Sequence, residues 1–385
     1  MKALFNLSRF SAGAIAVIVG YTSSVVIIFQ AASAAGASEA QISSWLWALG
    51  LGMGVTCIGF SLAYKQPVLT AWSTPGAALL VTGLSGVSLN EAIAAFLFSS
   101  ALIMLTGLLG WFDRIMAHVP RSLAGAMLAG VLLPFGMDVF VALGSEMLLV
   151  GAMLLAFIVL RPMTPRYAVP VTLLLGLALA WGQGLLATDK LSLELAEPVL
   201  MMPEFSASAL IGVGLPLFVV TMASQNVPGL AVLRAHGYEV PASPLMSWTG
   251  LTGLILAPFG GFAFNLAAIT AAICMGEEAD PDRDKRYLAS VWAGIFYLLM
   301  GLFGATVVAL FAAFPRELVM AIAGLALLGT IGNSLAASLA DEEGREAALI
   351  TFLVTASGVS LFGVGSAFWA LVIGMGVYRF RLLTR

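Results

Sequence analysis

Residues 66–80 read Gln66-Pro67-Val68-Leu69-Thr70-Ala71-Trp72-Ser73-Thr74-Pro75-Gly76-Ala77-Ala78-Leu79-Leu80. From Pro67 to Thr74 the stretch is polar, aromatic and tolerant of extended backbone. Ser73 or Thr74 then supplies a helix N-cap, with Pro75 at the first helical position. A second stretch, residues 258–270, reads Pro258-Phe259-Gly260-Gly261-Phe262-Ala263-Phe264-Asn265-Leu266-Ala267-Ala268-Ile269-Thr270. Phe262 and Phe264 alternate with small residues, and Asn265 is an N-cap type directly before an Ala-rich run. Both stretches predict a short strand followed by a half-helix. The alternative is a pair of ordinary helices with Pro and Gly irregularities.

The surroundings place these stretches in a membrane. The chain is 61% hydrophobic and only 10% charged, against about 25% charged in soluble domains. The net charge of −3, with no basic patch, argues against a nucleic-acid partner. A crossing takes about 20 apolar residues. The sequence divides into fourteen such segments, of which 67–84 is the third and 258–275 the tenth. The expected fold is an all-α polytopic membrane protein. The first span is expected to be uncleaved. If the N-terminus is cytoplasmic, fifteen of the seventeen Lys and Arg residues fall inside, leaving Lys190 and Arg316 outside, as the positive-inside rule predicts. Both termini are then cytoplasmic. Cys57 and Cys274 lie in apolar runs and read as small packed hydrophobes.

The two halves match at an offset of 195 residues. Phe10-Ser11-Ala12 meets Phe205-Ser206-Ala207, Gln30 meets Gln225, and Pro120-Arg121 meets Pro315-Arg316. Seven segments per half is odd, so the second half (about 200–385) is inverted relative to the first (about 1–190). Arg121 then falls inside and Arg316 outside, in agreement with the charge map. Inverted repeats are common in secondary transporters, which bind substrate near the midplane at the repeat interface.

Thr70-Ala71-Trp72-Ser73-Thr74-Pro75-Gly76-Ala77-Ala78, Ser224-Gln225-Asn226-Val227-Pro228-Gly229 and Gly260-Gly261-Phe262-Ala263-Phe264-Asn265-Leu266-Ala267-Ala268 together carry a family resemblance. The whole chain resembles the benzoate/proton symporter family, within the fourteen-span group that includes uracil and anion carriers. The resemblance implies a core domain (1–110 and 205–313) and a gate domain (111–204 and 314–385). It also implies substrate held between the two half-helices and the first and eighth spans. Import of an aromatic carboxylate with a proton into a bacterium, across its inner membrane, is the implied activity. A homodimer is left open. The nucleobase carriers of the group place acids in the eighth and tenth spans. Here Gln225, Asn226 and Asn265 stand nearby, all neutral, which suits an anion that a buried carboxylate would repel.

Extended backbone at membrane depth is tolerated only where protein or a cavity satisfies it. Two half-helices aimed at one spot would offer free N–H groups and positive dipole ends to an anion. The expected carboxylate site is therefore Ser73, Thr74, Gly76, Asn265 and Leu266, with side-chain donors from Gln225 and Asn226. For the two amides the competing reading is a Pro-kinked helix whose side chains bond a neighbouring backbone. Tyr21, Trp72, Phe262 and Phe264 are candidates for an aromatic slot, against a packing role.

No carboxylate lies deep in a span. Asp138 comes nearest, and reads as interfacial at the outer end of the fifth; its repeat mate is Asn333. His118 and His236 fall in cytoplasmic loops, and the run Glu277–Arg286 reads as a solvated loop. The proton carrier is left unassigned: the proton could travel on the substrate or through water. No cofactor or metal is expected, since no ligand spacing occurs. A channel or uniporter, or a carrier of nucleobases or other small anions, is the alternative function. An enzyme would need a nucleophile and base, or a metal cluster, on facing spans.

Overall fold

The computed structural model describes residues 6–112, 114, 120–165, 167–187, 191, 193–362 and 364–383; Lys190 and His118 lie outside them. It is a mostly helical bundle. The first half contains α1 (Leu7–Ala34), α2 (Glu39–Tyr64), β1 (Thr70–Trp72), α3 (Thr74–Gly83), α4 (Leu89–Leu108), α5 (Arg121–Ser145), α6 (Met147–Met163) and α7 (Ala168–Gly182). The second contains α8 (Ala207–Ala235), α9 (Ala242–Leu256), β2 (Phe264–Leu266), α10 (Ile269–Met275), α11 (Tyr287–Leu302), α12 (Gly304–Ala312), α13 (Arg316–Leu339), α14 (Arg345–Ala356) and α15 (Ser366–Leu383).

Among the described residues, six helices are long and apolar enough to cross a membrane. The segment Arg283–Leu302 with Gly304–Ala312, bent by 65°, makes a seventh if taken as one span. With this many apolar helices the chain is a multi-pass membrane protein. Lipid tails give helices no hydrophobic reason to associate, so close backbone contact does that work. At the α2–α11 contact a Cβ added to Gly50 would lie 2.5 Å from the Cα of Gly301. Helix starts are capped as the sequence invites. Ser38 with Gln41, and Ser88 with Glu91, form full capping boxes on α2 and α4.

The helices pack in a recurring pattern: α5 against α13 and α14, α2 against α11, α4 against α9, and α1 against α3, α10 and α11. In the middle, β1 and β2 pair antiparallel, with Thr70 opposite Leu266, Ala71 opposite Asn265 and Trp72 opposite Phe264. The Ser73 N–H donates to the Ala263 carbonyl and the Ala267 N–H to the Leu69 carbonyl, one pairing beyond each end.

A two-stranded ribbon in an apolar interior has two open edges, and each exposed amide there is costly. α2 covers the β1 edge: the Thr70 N–H reaches Cys57 Sγ at 3.1 Å, and Ser61 Oγ donates to the Val68 carbonyl at 3.0 Å. α8 covers the β2 edge, where Asn226 Oδ1 accepts the Leu266 N–H at 2.9 Å.

The Glu277–Arg286 segment departs from the solvated loop expected of it. Asp280 is buried and pairs with Arg9 of α1 at 2.5 Å. Arg286 donates to the Met275 carbonyl at the end of α10 and to the Asp280 carbonyl. Arg283 donates to the carbonyls of His236 and Gly237 beyond α8 and lies over the Tyr238 ring. Only part of the run behaves as surface: exposed Lys285 pairs with Asp282 and holds that carboxyl below the usual carboxylate range. The run therefore ties α1, α8 and α10 together. Seven of its ten residues are exposed, while Ala279 and Asp280 are buried, a difference that composition does not reveal.

Candidate functional site

α3 starts at Thr74 because Ser73 Oγ, in an extended residue, accepts the Gly76 N–H at 3.0 Å, with Pro75 in the first turn. Its N-terminus faces a cavity of about 1380 Å³. α10 begins at the same cavity, which Ala267, Ala268 and Thr270 line. Here the structure differs from the expectation for Asn265. That residue sits inside β2 opposite Ala71, and the helix begins only at Ile269, without a side-chain cap. Asn265 Nδ2 donates to the Ala263 carbonyl. The side chain is thus tied to its own strand.

α8 supplies the third wall. Residues Met222–Asn226 form a π-helical turn, in which the Val227 N–H reaches the Met222 carbonyl. Pro228 has no N–H to give, and a widened turn redistributes the bonds around it. The turn sends consecutive amides to different places. Gln225 lines the cavity beside Ser224. Asn226 is fully buried, with Oδ1 holding the Leu266 N–H and Nδ2 donating to Met222 Sδ.

Three of the expected residues, Trp72, Thr74 and Gln225, line the cavity. The Trp72 ring is fixed by a 2.8 Å bond from Nε1 to Ser24 Oγ and by an edge contact with Tyr21, centroids 4.8 Å apart. Tyr21 stands behind Trp72, buried. Ser73 and Gly76 lie beneath the start of α3; a Cβ on Gly76 would lie 2.7 Å from Leu217 of α8. The amides of Gly76 and Leu266 are both occupied by protein oxygens, so neither is a free donor in this conformation.

Phe262 and Phe264 do not line the cavity. Phe262 packs among Trp45 and Phe96, with centroids at 5.8 and 5.1 Å. The Phe264 ring covers Gly52 of α2 so closely that a Cβ there would lie 2.3 Å from it. Both are at most 1% exposed.

Residues the sequence did not single out complete the wall: Ser23, Ser24, Thr270 and Tyr297 near the ribbon, and Arg121 and Arg234, both exposed, farther out. Ser23 and Ser24 follow Tyr21-Thr22, a polar cluster in mid-helix that offers a signal. Tyr297 sits in an apolar run and offers none. Among the described residues, the two arginines are the only charged groups lining the cavity. The arrangement suits a flat ring with an anionic end: aromatic and small hydroxyl groups at depth, positive charge towards the mouth, and, among the described residues, no carboxylate lining it.

The family model described as "Benzoate membrane transport protein" matches residues 3–380. The inner membrane protein YdcO of Escherichia coli K12 is 52% identical over 363 residues, covering 94% of this chain and 93% of its own. A benzoate membrane transport protein of Acinetobacter baylyi is 41% identical over 378 residues, covering 98% and 96%. Among solved structures, SLC26A9 superposes with a TM-score of 0.65 at 12% identity; the match covers 98% of this chain and 65% of that protein. This last likeness concerns the fold alone. The matched segment runs from before α1 into α15 and takes in both strands and the residues lining the cavity, and the chain belongs to the benzoate membrane transport protein family, whose members are membrane transporters and not enzymes.

Proposed function

We propose that the protein is a secondary active transporter that imports benzoate, or a related aromatic carboxylate, together with a proton across the bacterial inner membrane. The observation that carries this reading is the chemistry of the large cavity. It joins an aromatic wall (Trp72, Tyr297) to two arginines, the only charged groups among the described residues that line it. In the proposed pose the ring lies against Trp72 and Tyr297. The carboxylate meets the first turn of α3 at Thr74, with Ser23, Ser224, Gln225 and Thr270 as side-chain donors. Fourteen crossings in two inverted sets of seven, with both termini cytoplasmic, complete the topology. Arg121 and Arg234 then mark the cytoplasmic mouth, and this conformation faces inward.

The core and gate division assigns residues 1–110 and 205–313 to the moving unit and 111–204 with 314–385 to the frame. The packing of α2 on α11, α4 on α9 and α5 on α13 supports it. Assembly as a homodimer is part of this proposal and is tested by particle mass in detergent.

Energetics favour the proton. An aromatic acid with a carboxyl pKa near 4 is almost wholly anionic at neutral pH. An inside-negative membrane opposes anion entry by about 2.3 kcal/mol per charge per 100 mV. One co-transported proton cancels that term, and each pH unit then adds about 1.4 kcal/mol of inward drive. Uptake of labelled benzoate into proteoliposomes, with and without an inward proton gradient, tests the reading. The expected result is uphill accumulation that a protonophore abolishes and that exceeds the leak of the neutral acid into protein-free liposomes. Protein-dependent flux that only equilibrates would replace the symporter with a uniporter.

A further inference from the structure

A second, smaller pocket of about 370 Å³ lies beyond the large cavity along the same helices. On α3 the large cavity takes Thr74 and Pro75 and the small pocket Val81 and Thr82. On α5 they take residues 121–128 and 134–138, and on α13, running the other way, 326–337 and 316–320. The two spaces therefore occupy opposite halves of the bundle, with α3 between them.

Their linings are related by the sequence repeat. Six of the nine residues of the small pocket have a mate, 195 positions away, in the large cavity. Three of these pairs carry polar chemistry: Gln30 with Gln225, Arg316 with Arg121, and Asp138 with Asn333. Two others explain the difference in volume. Val319 and Met320 fill the small pocket where Ala124 and Gly125 leave the large one open. The polar set is thus built twice, once at each end, and the copies differ in one titratable group.

We propose that the small pocket is the outer end of the transport pathway, closed in this conformation, and that Asp138 is the group that delivers the co-transported proton. The inference rests on the proton-symport reading above. Arg316 draws the carboxylate into the pocket as Arg121 does on the other side. Asp138, protonated from the external water, gives its proton to the substrate carboxylate. The products are an aspartate, facing Arg316 and reprotonated from the external water for the next cycle, and a neutral acid, so one proton crosses with each substrate and no net charge crosses with it. Donor and acceptor are both carboxyl groups, so the transfer is between groups of the same chemical class. At the inner end Asn333 cannot take part in such an exchange, and the acid ionises to water beside Arg121 and Arg234. Asp138 is half-buried, and the charged group sharing its pocket is Arg316 of α13. α1 and α3 contribute the uncharged Gln30, Val81 and Thr82.

The test uses the full chain in proteoliposomes, with the protein-free leak subtracted. Wild-type benzoate uptake rises as the outside is acidified. Asp138→Asn is expected to lose that rise and to lower gradient-driven uptake by about tenfold or more, whereas Asp138→Glu retains both. An Asp138→Asn protein that still responds to external pH overturns the proton role. If the wild type itself shows no response, the symport reading fails first and takes that role with it. The pocket is judged separately, by labelling Met320→Cys and Thr330→Cys variants with a membrane-impermeant maleimide; the native cysteines are buried. Benzoate is expected to change the two labelling rates in opposite directions. Rates that change together, or do not change, overturn the assignment of the small pocket as the other end of the same pathway.

Discussion

The side-chain oxygen of Asn226 accepts the backbone N–H of Leu266 at 2.9 Å, at a site with no exposure to solvent. This one bond joins the π-turn of α8 to the outer edge of β2, and so to the ribbon at the end of the cavity. Removing the acceptor leaves an amide buried and unpaired, at a cost of about 1–3 kcal/mol. Asn226→Ala should therefore lower the thermal stability of the purified protein, and its uptake rate with it. Thermal unfolding in detergent measures the first directly.

Gln225, next in the chain, faces the cavity instead. Gln225→Glu keeps shape and hydrogen-bonding reach but adds a negative charge where the proposed substrate carries its own. Benzoate affinity is expected to fall by at least about tenfold at neutral pH, about 1.4 kcal/mol. The sign of the pH dependence follows. A glutamate with an ordinary pKa near 4.3 is charged above that value and neutral below it. The defect is thus complete at neutral pH and recovers as the pH falls towards the glutamate pKa. Binding measured across that range checks it; a defect that persists in acid would point to lost shape rather than charge.

The neighbouring pair also marks how far the sequence could be read. The strand and short helix at 70–83 were legible because Ser73 and Pro75 mark the helix start. Their partners at 264–275 were legible as a break, but not in register. Asn265 has the chemistry of a cap, yet the ribbon claims it opposite Ala71 and the helix waits until Ile269. Gln225 and Asn226 looked equivalent, because the π-turn that separates them depends on how the bonds around Pro228 redistribute. Tyr297 was invisible, since an aromatic in an apolar run has no periodicity to distinguish a cavity wall from packing.

Phe262 and Phe264, which the sequence left open between an aromatic slot and packing, lie away from the cavity in this structure. Both rings pack in the interior away from the cavity, Phe262 on Phe96 and Trp45 and Phe264 over Gly52. Substitution of either by Ala should cost about 3–5 kcal/mol through the void it leaves. Substrate preference among aromatic carboxylates should be unchanged in whatever protein folds. Competition by a set of substituted benzoates, normalised to the amount of folded protein, separates the two effects.

Trp72 makes the opposite case. Its ring lines the cavity, and its indole N–H bonds Ser24 across to α1. Trp72→Phe and Ser24→Ala each break that bond, so their effects on benzoate affinity should overlap. A double-mutant cycle is expected to give a coupling of about 0.5–1.5 kcal/mol. Strict additivity would mean that the hydrogen bond does not orient the ring for substrate.

The pair Arg9 and Asp280 sets the last expectation, because the two residues lie 271 positions apart and are both under a tenth exposed. Breaking a buried pair by removing one partner commonly costs about 3–5 kcal/mol, since the survivor keeps its charge without compensation. Asp280→Asn should therefore destabilise the protein strongly. The asparagine keeps one oxygen to accept the Asp282 N–H, where a turn of the loop begins, so the loss falls on the ion pair. Replacing both partners, as Arg9→Met with Asp280→Asn, should recover part of the loss by removing the stranded cation. If the double variant unfolds at a lower temperature than Asp280→Asn alone, then Arg9 contributes more through its other contacts than through this ion pair. The loop would then be anchored mainly by Arg283 and Arg286.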